Sequence, residues 1–325
     1  MDFSRRTFLH LAASAAILPA LSPTASAQSY SSHPVRIVVG AAPGGAFDIL
    51  ARLMGQWLSE QLAQPFVIEN RPGAGSNIAT EGVVRAPADG HTLLLVSGAN
   101  AINATLHDRL NFNFIRDIAP VASIVRQPQV MLVHPSFPAK TVPDFIAYAR
   151  ANPGKINMAS AGNGTGPHLA GELFKMMTGI NMVHVPYRGG APALADLIAG
   201  QVQVIFIGPI EVIEQIRDGR LRALAVTTVT RSAELPDLPT VGDFVAGYES
   251  SGWFGIGAPK NTPAEVIGKL NSKINAALAD PTIKARLTDL GTTPLPGSPA
   301  DFGKLITEET EKWGKVIRVG NIKPD

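Results

Sequence analysis

Apolar positions along this chain change period repeatedly. Val35-Arg36-Ile37-Val38-Val39 is a short run rich in β-branched side chains, the mark of a buried strand. Pro43-Gly44-Gly45 breaks it. Beyond the break Ile49, Leu50, Leu53, Met54, Trp57, Leu58 and Leu62 recur every three or four positions, which predicts an amphipathic helix. Pro65 stops that helix, and Phe66 to Glu69 reads as a second strand. A glycine loop over Asn70 to Asn77, a short helix from about Ile78 to Arg85, and a third strand, Thr92 to Val96, complete a βαβαβ unit with a parallel sheet. Ser97 leaves the carboxyl end of that third strand, the edge where open α/β sheets hold ligands.

A second unit follows. Ala119 to Val125 and Val130 to His134 read as extended, separated by Gln127-Pro128. Pro143 opens a helix that runs to about Asn152, and Ile156 to Ser160 is a strand. Ala161-Gly162-Asn163-Gly164-Thr165-Gly166 is a loop, after which Pro167 opens a helix over His168 to Thr178. Met182 to Val185, Val202 to Ile207 and Leu221 to Thr227 are further strands, and Trp253 to Ala258 is another. Thr262-Pro263-Ala264-Glu265 has the form of a capping box with Pro at the first helical position. Asp280-Pro281 and Ser298-Pro299 start two more helices by the same logic.

Two segments echo each other: strand, glycine loop without charge, helix, at Val35 to Met54 and at Ile156 to Phe174. Each helix start offers about half a positive charge and free N–H groups. Neither loop carries Lys, Arg or Cys. A ligand with an acidic group at one or both ends suits the pair. Asp48, three residues past Gly45, is placed to bond N–H groups at its own helix start. Tyr187-Arg188-Gly189-Gly190 could bring one cation to the cleft, though an exposed loop arginine is the more common case.

The N-terminus narrows the setting. Arg5-Arg6 before Phe8-Leu9, an apolar run to Leu21, and Ala25-Ser26-Ala27 predict a cleaved export signal of twin-arginine type over residues 1–27. The 325-residue chain has a net charge of +2 and leaves a mature chain close to neutral. No nucleic acid is expected as a partner, because no basic field is available to bind one. With no cysteine there are no disulfides and no thiolate metal sites. The histidines stand far apart without an H-x-x-x-H pair, so no metal is expected. His134 and His184, at strand ends, read as structural. Gly73-Ala74-Gly75 and Gly162-Asn163-Gly164 both miss the third glycine of a dinucleotide fingerprint, and neither a P-loop nor a G-x-S-x-G elbow occurs. No cofactor and no catalytic residue are expected.

The ordered set of segments resembles one family. It comprises Pro43-Gly44-Gly45 with Asp48, Glu69 to Gly75, Gly162-Asn163-Gly164-Thr165 with His168 to Leu173, Val183 to Gly189, Gly219 to Val226, Leu238 to Val241, and Trp313 to Ile317. Together they resemble the Bug-type substrate-binding receptors of tripartite tricarboxylate transporters over the whole mature chain. The resemblance implies a two-lobed α/β fold of the type II periplasmic-binding-protein kind, with a central ligand cleft. It implies lobe 1 from 28–130 plus 252–325 and lobe 2 from 131–251. It implies a periplasmic monomer that captures a small organic carboxylate and delivers it to membrane permease subunits. A receptor feeding a sensor kinase, or an exported enzyme on the same scaffold, are the alternatives. The ligand-binding residues it implies are Ala42, Gly44, Gly45, Ala46, Phe47 and Asp48 in the first loop, and Ser160, Ala161, Gly162, Asn163, Gly164 and Thr165 in the second. Ser97, His168 and Gly208 join them. The chain departs from the family pattern twice. Phe47 stands where a small hydroxyl residue is common, and Ile207-Gly208 follows Phe206 where an Asp-Asn pair is frequent. Without an acid there, a ligand bearing an ammonium group is not expected.

Overall fold

The computed structural model describes residues 33–107, 109–232, 235–319 and 322–324. The export signal expected over residues 1–27, with Arg5-Arg6, lies outside the described residues. In chain order the elements are β1 (Val35–Val39), α1 (Ala46–Leu62), β2 (Phe66–Asn70), α2 (Asn77–Val84), β3 (Thr92–Ser97), α3 (Gly98–Leu106), α4 (Phe114–Asp117), β4 (Ile118–Pro128) and β5 (Val130–Val133). They continue with α5 (Val142–Ala151), β6 (Asn157–Ser160), α6 (Gly166–Thr178), β7 (Val183–Pro186), α7 (Gly190–Ile198), β8 (Val204–Ile207), α8 (Ile213–Arg217) and β9 (Arg222–Val226). The chain ends with β10 (Ser251–Pro259), α9 (Ala264–Ala279), α10 (Pro281–Asp289), β11 (Thr293–Pro294) and α11 (Pro299–Val319).

Two sheets result, in the order β11-β4-β10-β3-β1-β2 and β7-β6-β8-β5-β9. β1 pairs in parallel with β2 and β3, as the βαβαβ pattern predicts. The second sheet repeats this with β6 between β7 and β8. β10 inserts antiparallel between β3 and β4. Each sheet has its own core. Ile37, Leu50, Leu93 and Ile256 are sealed in the first, and Phe145, Phe174 and Phe206 in the second. Burying each such side chain contributes about 1.5–3 kcal/mol.

The chain crosses between sheets at Gln129 and again at Ser250. β4 runs on through Gln127 and Pro128 rather than stopping before them, because Pro128 sits at the strand's end opposite Ser251. Thr227 clasps both crossings. Its N–H donates to the Gln129 carbonyl at 2.9 Å, and its hydroxyl accepts the Gln129 N–H at 2.8 Å. The hydroxyl also reaches the Ser250 carbonyl, and the Ser250 N–H donates back to the Thr227 carbonyl at 2.9 Å. α11 packs on α3 and β4. Its Trp313 and Ile317 share a buried cluster with Ile102 and Leu106 of the first lobe and Leu169 of the second.

Beyond β3 the chain passes directly into α3, with Ser97 capping the Ala99 N–H and Asn100 accepting the Ser97 N–H. Two local readings are corrected. Thr262 does not cap α9. Its hydroxyl turns back to the Pro259 carbonyl at 2.7 Å, and the helix starts at Ala264 without a side-chain cap. Pro143 is the second, not the first, helical residue of α5, which Thr141 caps in a box with Asp144.

Candidate functional site

The first loop joins β1 to α1. Gly44 adopts φ +87°, a conformation open to glycine at no steric cost, whereas Gly45 at φ −90° needs no such freedom. Asp48 does what its position predicts. It accepts the Gly44 N–H at 3.0 Å and the Arg52 Nε–H at 2.9 Å. Burial pushes its carboxyl up, but the Arg52 and Gly44 hydrogen bonds outweigh this and leave it below the usual carboxylate range.

Two further backbone donors of the loop face partners inside the protein. The Ala42 N–H donates to the Arg188 carbonyl at 3.2 Å, across the lobes. The Ala46 N–H, at the start of α1, meets the carboxylate of Glu211 from the other lobe.

The second loop, 161–165, is braced from behind. The Gly162 N–H donates to the Ser160 hydroxyl, which lies 2.6 Å from His184 Nε2. The Gly164 N–H donates to His168 Nδ1 at 3.2 Å, and the His168 ring stacks on His184 at 3.9 Å. Burial, and then the neighbouring His184, push His168 down to about 3. The neutral ring therefore keeps a lone pair for Gly164. Thr165 donates its hydroxyl to the Gly162 carbonyl at 2.7 Å and leaves the start of α6 without a side-chain cap.

Between the lobes lie two connected spaces. The outer one is lined by the 72–76 loop, by Ala161, Gly162 and Asn163, and by Tyr187 and Arg188. The inner one is tighter, a cavity of about 50 Å³. Its walls are Phe47, Trp253, Phe254 and Trp313, with the starts of α3 (Ser97, Gly98) and α6 (Thr165, Gly166, Pro167). Gln127, Gln129, Gly208 and Glu211 complete it, and the lining holds no Lys, Arg or His. The Trp253 indole N–H beside Gly98 is sealed from solvent and has no partner, and neither do Gln127 Oε1 and Gln129 Oε1. A buried donor without an acceptor costs about 1–3 kcal/mol, which an acceptor on a bound molecule recovers.

The lobes touch in this state. A Cβ on Gly75 would lie 2.2 Å from the Asn163 carbonyl oxygen, and one on Gly164 would lie 1.9 Å from Asn103 Oδ1. Both glycines also have positive φ, +57° and +72°.

Of the residues expected from sequence, Phe47, Ser97, Ala161, Gly162, Asn163, Thr165 and Gly208 line these spaces. Ala42, Gly44, Gly45, Ala46, Asp48, Ser160, Gly164 and His168 do not. They set the shape of the two loops instead. Sequence reasoning missed Gln127, Gln129, Glu211, Trp253 and Trp313. The two glutamines flank the Pro128 crossing, so the expected crossing near Val130 was a signal that pointed to them. No acid stands at 207–208, but Glu211 brings one to the inner space from the turn after β8. Glu211 Oε2 is sealed without a hydrogen-bond partner. Burial pushes its carboxyl up to about 7, against the Ala46 N–H.

Among the described residues no group of three or more His, Cys, Asp or Glu could hold a metal, and no helix is long and apolar enough to cross a membrane.

Two α/β lobes joined by paired crossings around a cleft whose inner space has no basic lining define a solute-binding protein of the periplasmic type. The family of tripartite tricarboxylate transporter receptors matches residues 50–322, and the chain belongs to it. A curated relative from Pseudomonas sp. strain P51, the UPF0065 protein in the tcbD-tcbE intergenic region, is 37% identical over 291 residues, covering 89% of this chain and 87% of its own. The solved structure of Rpa4515 from R. palustris with adipate superposes with TM-score 0.88 at 37% identity, covering 90% of this chain and 99% of that one. MatC from Rhodopseudomonas palustris, with bound malate, gives 0.84 at 30% identity over 88% and 99%.

Proposed function

We propose that this protein is an extracytoplasmic receptor, not an enzyme. It captures a small organic carboxylate between lobe 1 (28–130 plus 252–325) and lobe 2 (131–251). It then delivers the ligand to the permease subunits of a tripartite tricarboxylate transporter. The observation that carries the reading is the inner cavity. There the uncapped start of the 13-residue helix α6 and Trp253, whose buried indole N–H has no partner, line one space without a basic residue. Helix N–H groups and an indole donor suit a carboxylate, whereas phosphate and sulfate esters usually recruit Arg or Lys. Adipate and malate in the related structures are ligands of this class.

The test is calorimetric titration of the purified mature protein with mono-, di-, tri- and aromatic carboxylates, with primary amides and phosphate monoesters as controls. Mass spectrometry of ligand released from the same preparation runs alongside. Carboxylates are expected to bind, and their amides to bind at least tenfold more weakly. Amides binding as well as the acids would overturn the reading.

A further inference from the structure

The first glycine loop offers its helix terminus to an anion, and the protein supplies that anion itself. Glu211 stands at the end of the Pro209–Glu211 turn of the second lobe. Its carboxylate accepts the Ala46 N–H at the start of α1, in the first lobe. A Cβ on Gly190, the first residue of α7, would lie 1.6 Å from Glu211 Oε2, and one on Gly45 would lie 3.4 Å away. The carboxylate therefore sits between two helix starts, one from each lobe, and neither helix has a side-chain cap of its own. The fit depends on hydrogen at Gly190, where any larger residue would expel the carboxylate.

Glu211 also lines the inner cavity, next to Phe47, Ile207 and Gly208. No Lys, Arg or His in that lining offsets a second negative charge brought alongside it. The start of α6, in the same lining, has no side-chain cap. The aromatic rings of Phe47, Trp253, Phe254 and Trp313 make up much of the remaining wall.

We infer that Glu211 is the specificity-determining residue of the cleft: it occupies the anion position at α1, so that the ligand carries one carboxylate, held at the α6 end, on an apolar or aromatic body. A second carboxylate on the ligand would meet Glu211 as a like charge in a space shielded from water, where such repulsion is strongest. The inference rests on the carboxylate reading above and narrows it.

The experiment compares matched pairs at pH 8.5: hexanoate with adipate, and benzoate with terephthalate. Calorimetry is run on the wild-type protein and on Glu211→Gln, which keeps the side chain's shape and removes its charge. The wild-type protein is expected to bind each monocarboxylate at least tenfold more tightly than its dicarboxylate. Glu211→Gln is expected to shrink that ratio to about threefold or less, mainly by gaining affinity for the dicarboxylate. A wild-type protein that prefers the dicarboxylates would overturn the inference while leaving the carboxylate reading intact. So would an unchanged ratio in a Glu211→Gln protein with a normal melting transition. Binding of amides as tight as that of both kinds of acid would overturn the two together. The wild-type ratio decides the matter even if the variant does not fold.

Discussion

Glu211, His168 and Phe47 each place an unusual demand on one side chain. For Glu211 the demand is proton-linked. An unfolded glutamate ionises near pH 4.5 and the native one near 7, so the native state holds the proton longer as pH rises. Its contribution to stability is full below pH 4.5 and is lost as pH climbs to 7 and beyond. Glu211→Gln is therefore expected to be more stable than wild type at pH 8, by up to about 3 kcal/mol, and equal to it at pH 4. Urea denaturation at the two pH values checks this, and equal stability at pH 8 would refute it. His168 runs the other way. Its native value is depressed to about 3, so its contribution is present above pH 6.5 and is lost as pH falls below that. Phe47 packs edge-on against Phe254, with ring centroids 5.0 Å apart, and lines both the inner and outer spaces. Phe47→Ala is expected to weaken an apolar carboxylate by about 1–3 kcal/mol in calorimetry, with less effect on acetate, which is too small to reach the ring.

Elements built from local rules were legible in the sequence. Asp280 caps α10 through the Thr282 and Ile283 N–H groups, and Ser298 caps α11 in a reciprocal pair with Asp301, as the cap-then-Pro pattern predicts. α3 was not legible, because Gly98, Asn100 and Asn103 are poor helix formers. Packing decides there: Ala101 and Ile102 are fully buried, and α11 lies against the helix. The place of β10 between β3 and β4 was hidden for a related reason, since its partners lie more than a hundred residues away in sequence. The glycine loops were visible as loops, and Asp48 as an acceptor within its own loop, but the partners from the other lobe were not. Glu211 and Arg188 come from the far lobe, and no spacing encodes that meeting. The closeness of the loops gives a sharp expectation. Gly164→Ala places a methyl group onto Asn103 and strains a positive φ, so it should hold the lobes apart while leaving both cores intact. Ligand affinity should fall at least tenfold with native circular dichroism retained. Full affinity in a folded Gly164→Ala protein would show that the contact is dispensable.

For the whole molecule, the two-lobed plan was readable because each half repeats strand, glycine loop and helix. The cleft's aromatic walls were not readable, since Phe47, Trp253 and Trp313 are brought together from distant segments. The export signal expected at the N-terminus is testable on the entire chain. Changing Arg5 and Arg6 to Lys is expected to strand precursor in the cytoplasm, because the twin-arginine route reads the pair itself. Undiminished periplasmic yield of that double variant would assign the signal to the Sec route instead. The clasp at Thr227 has a consequence of another kind. Because one threonine ties both crossings, the two strands that join the lobes are held to each other and bend together. On the receptor reading proposed above, a membrane partner docking across both lobes would sense how far that joint has closed rather than the molecule inside. Two chemically different ligands that close the joint equally far would then be indistinguishable from outside, and discrimination between solutes would be complete before docking. Spin labels on α1 and α7 should report the same distance for every ligand that is transported, and a longer one for a ligand that binds without being carried.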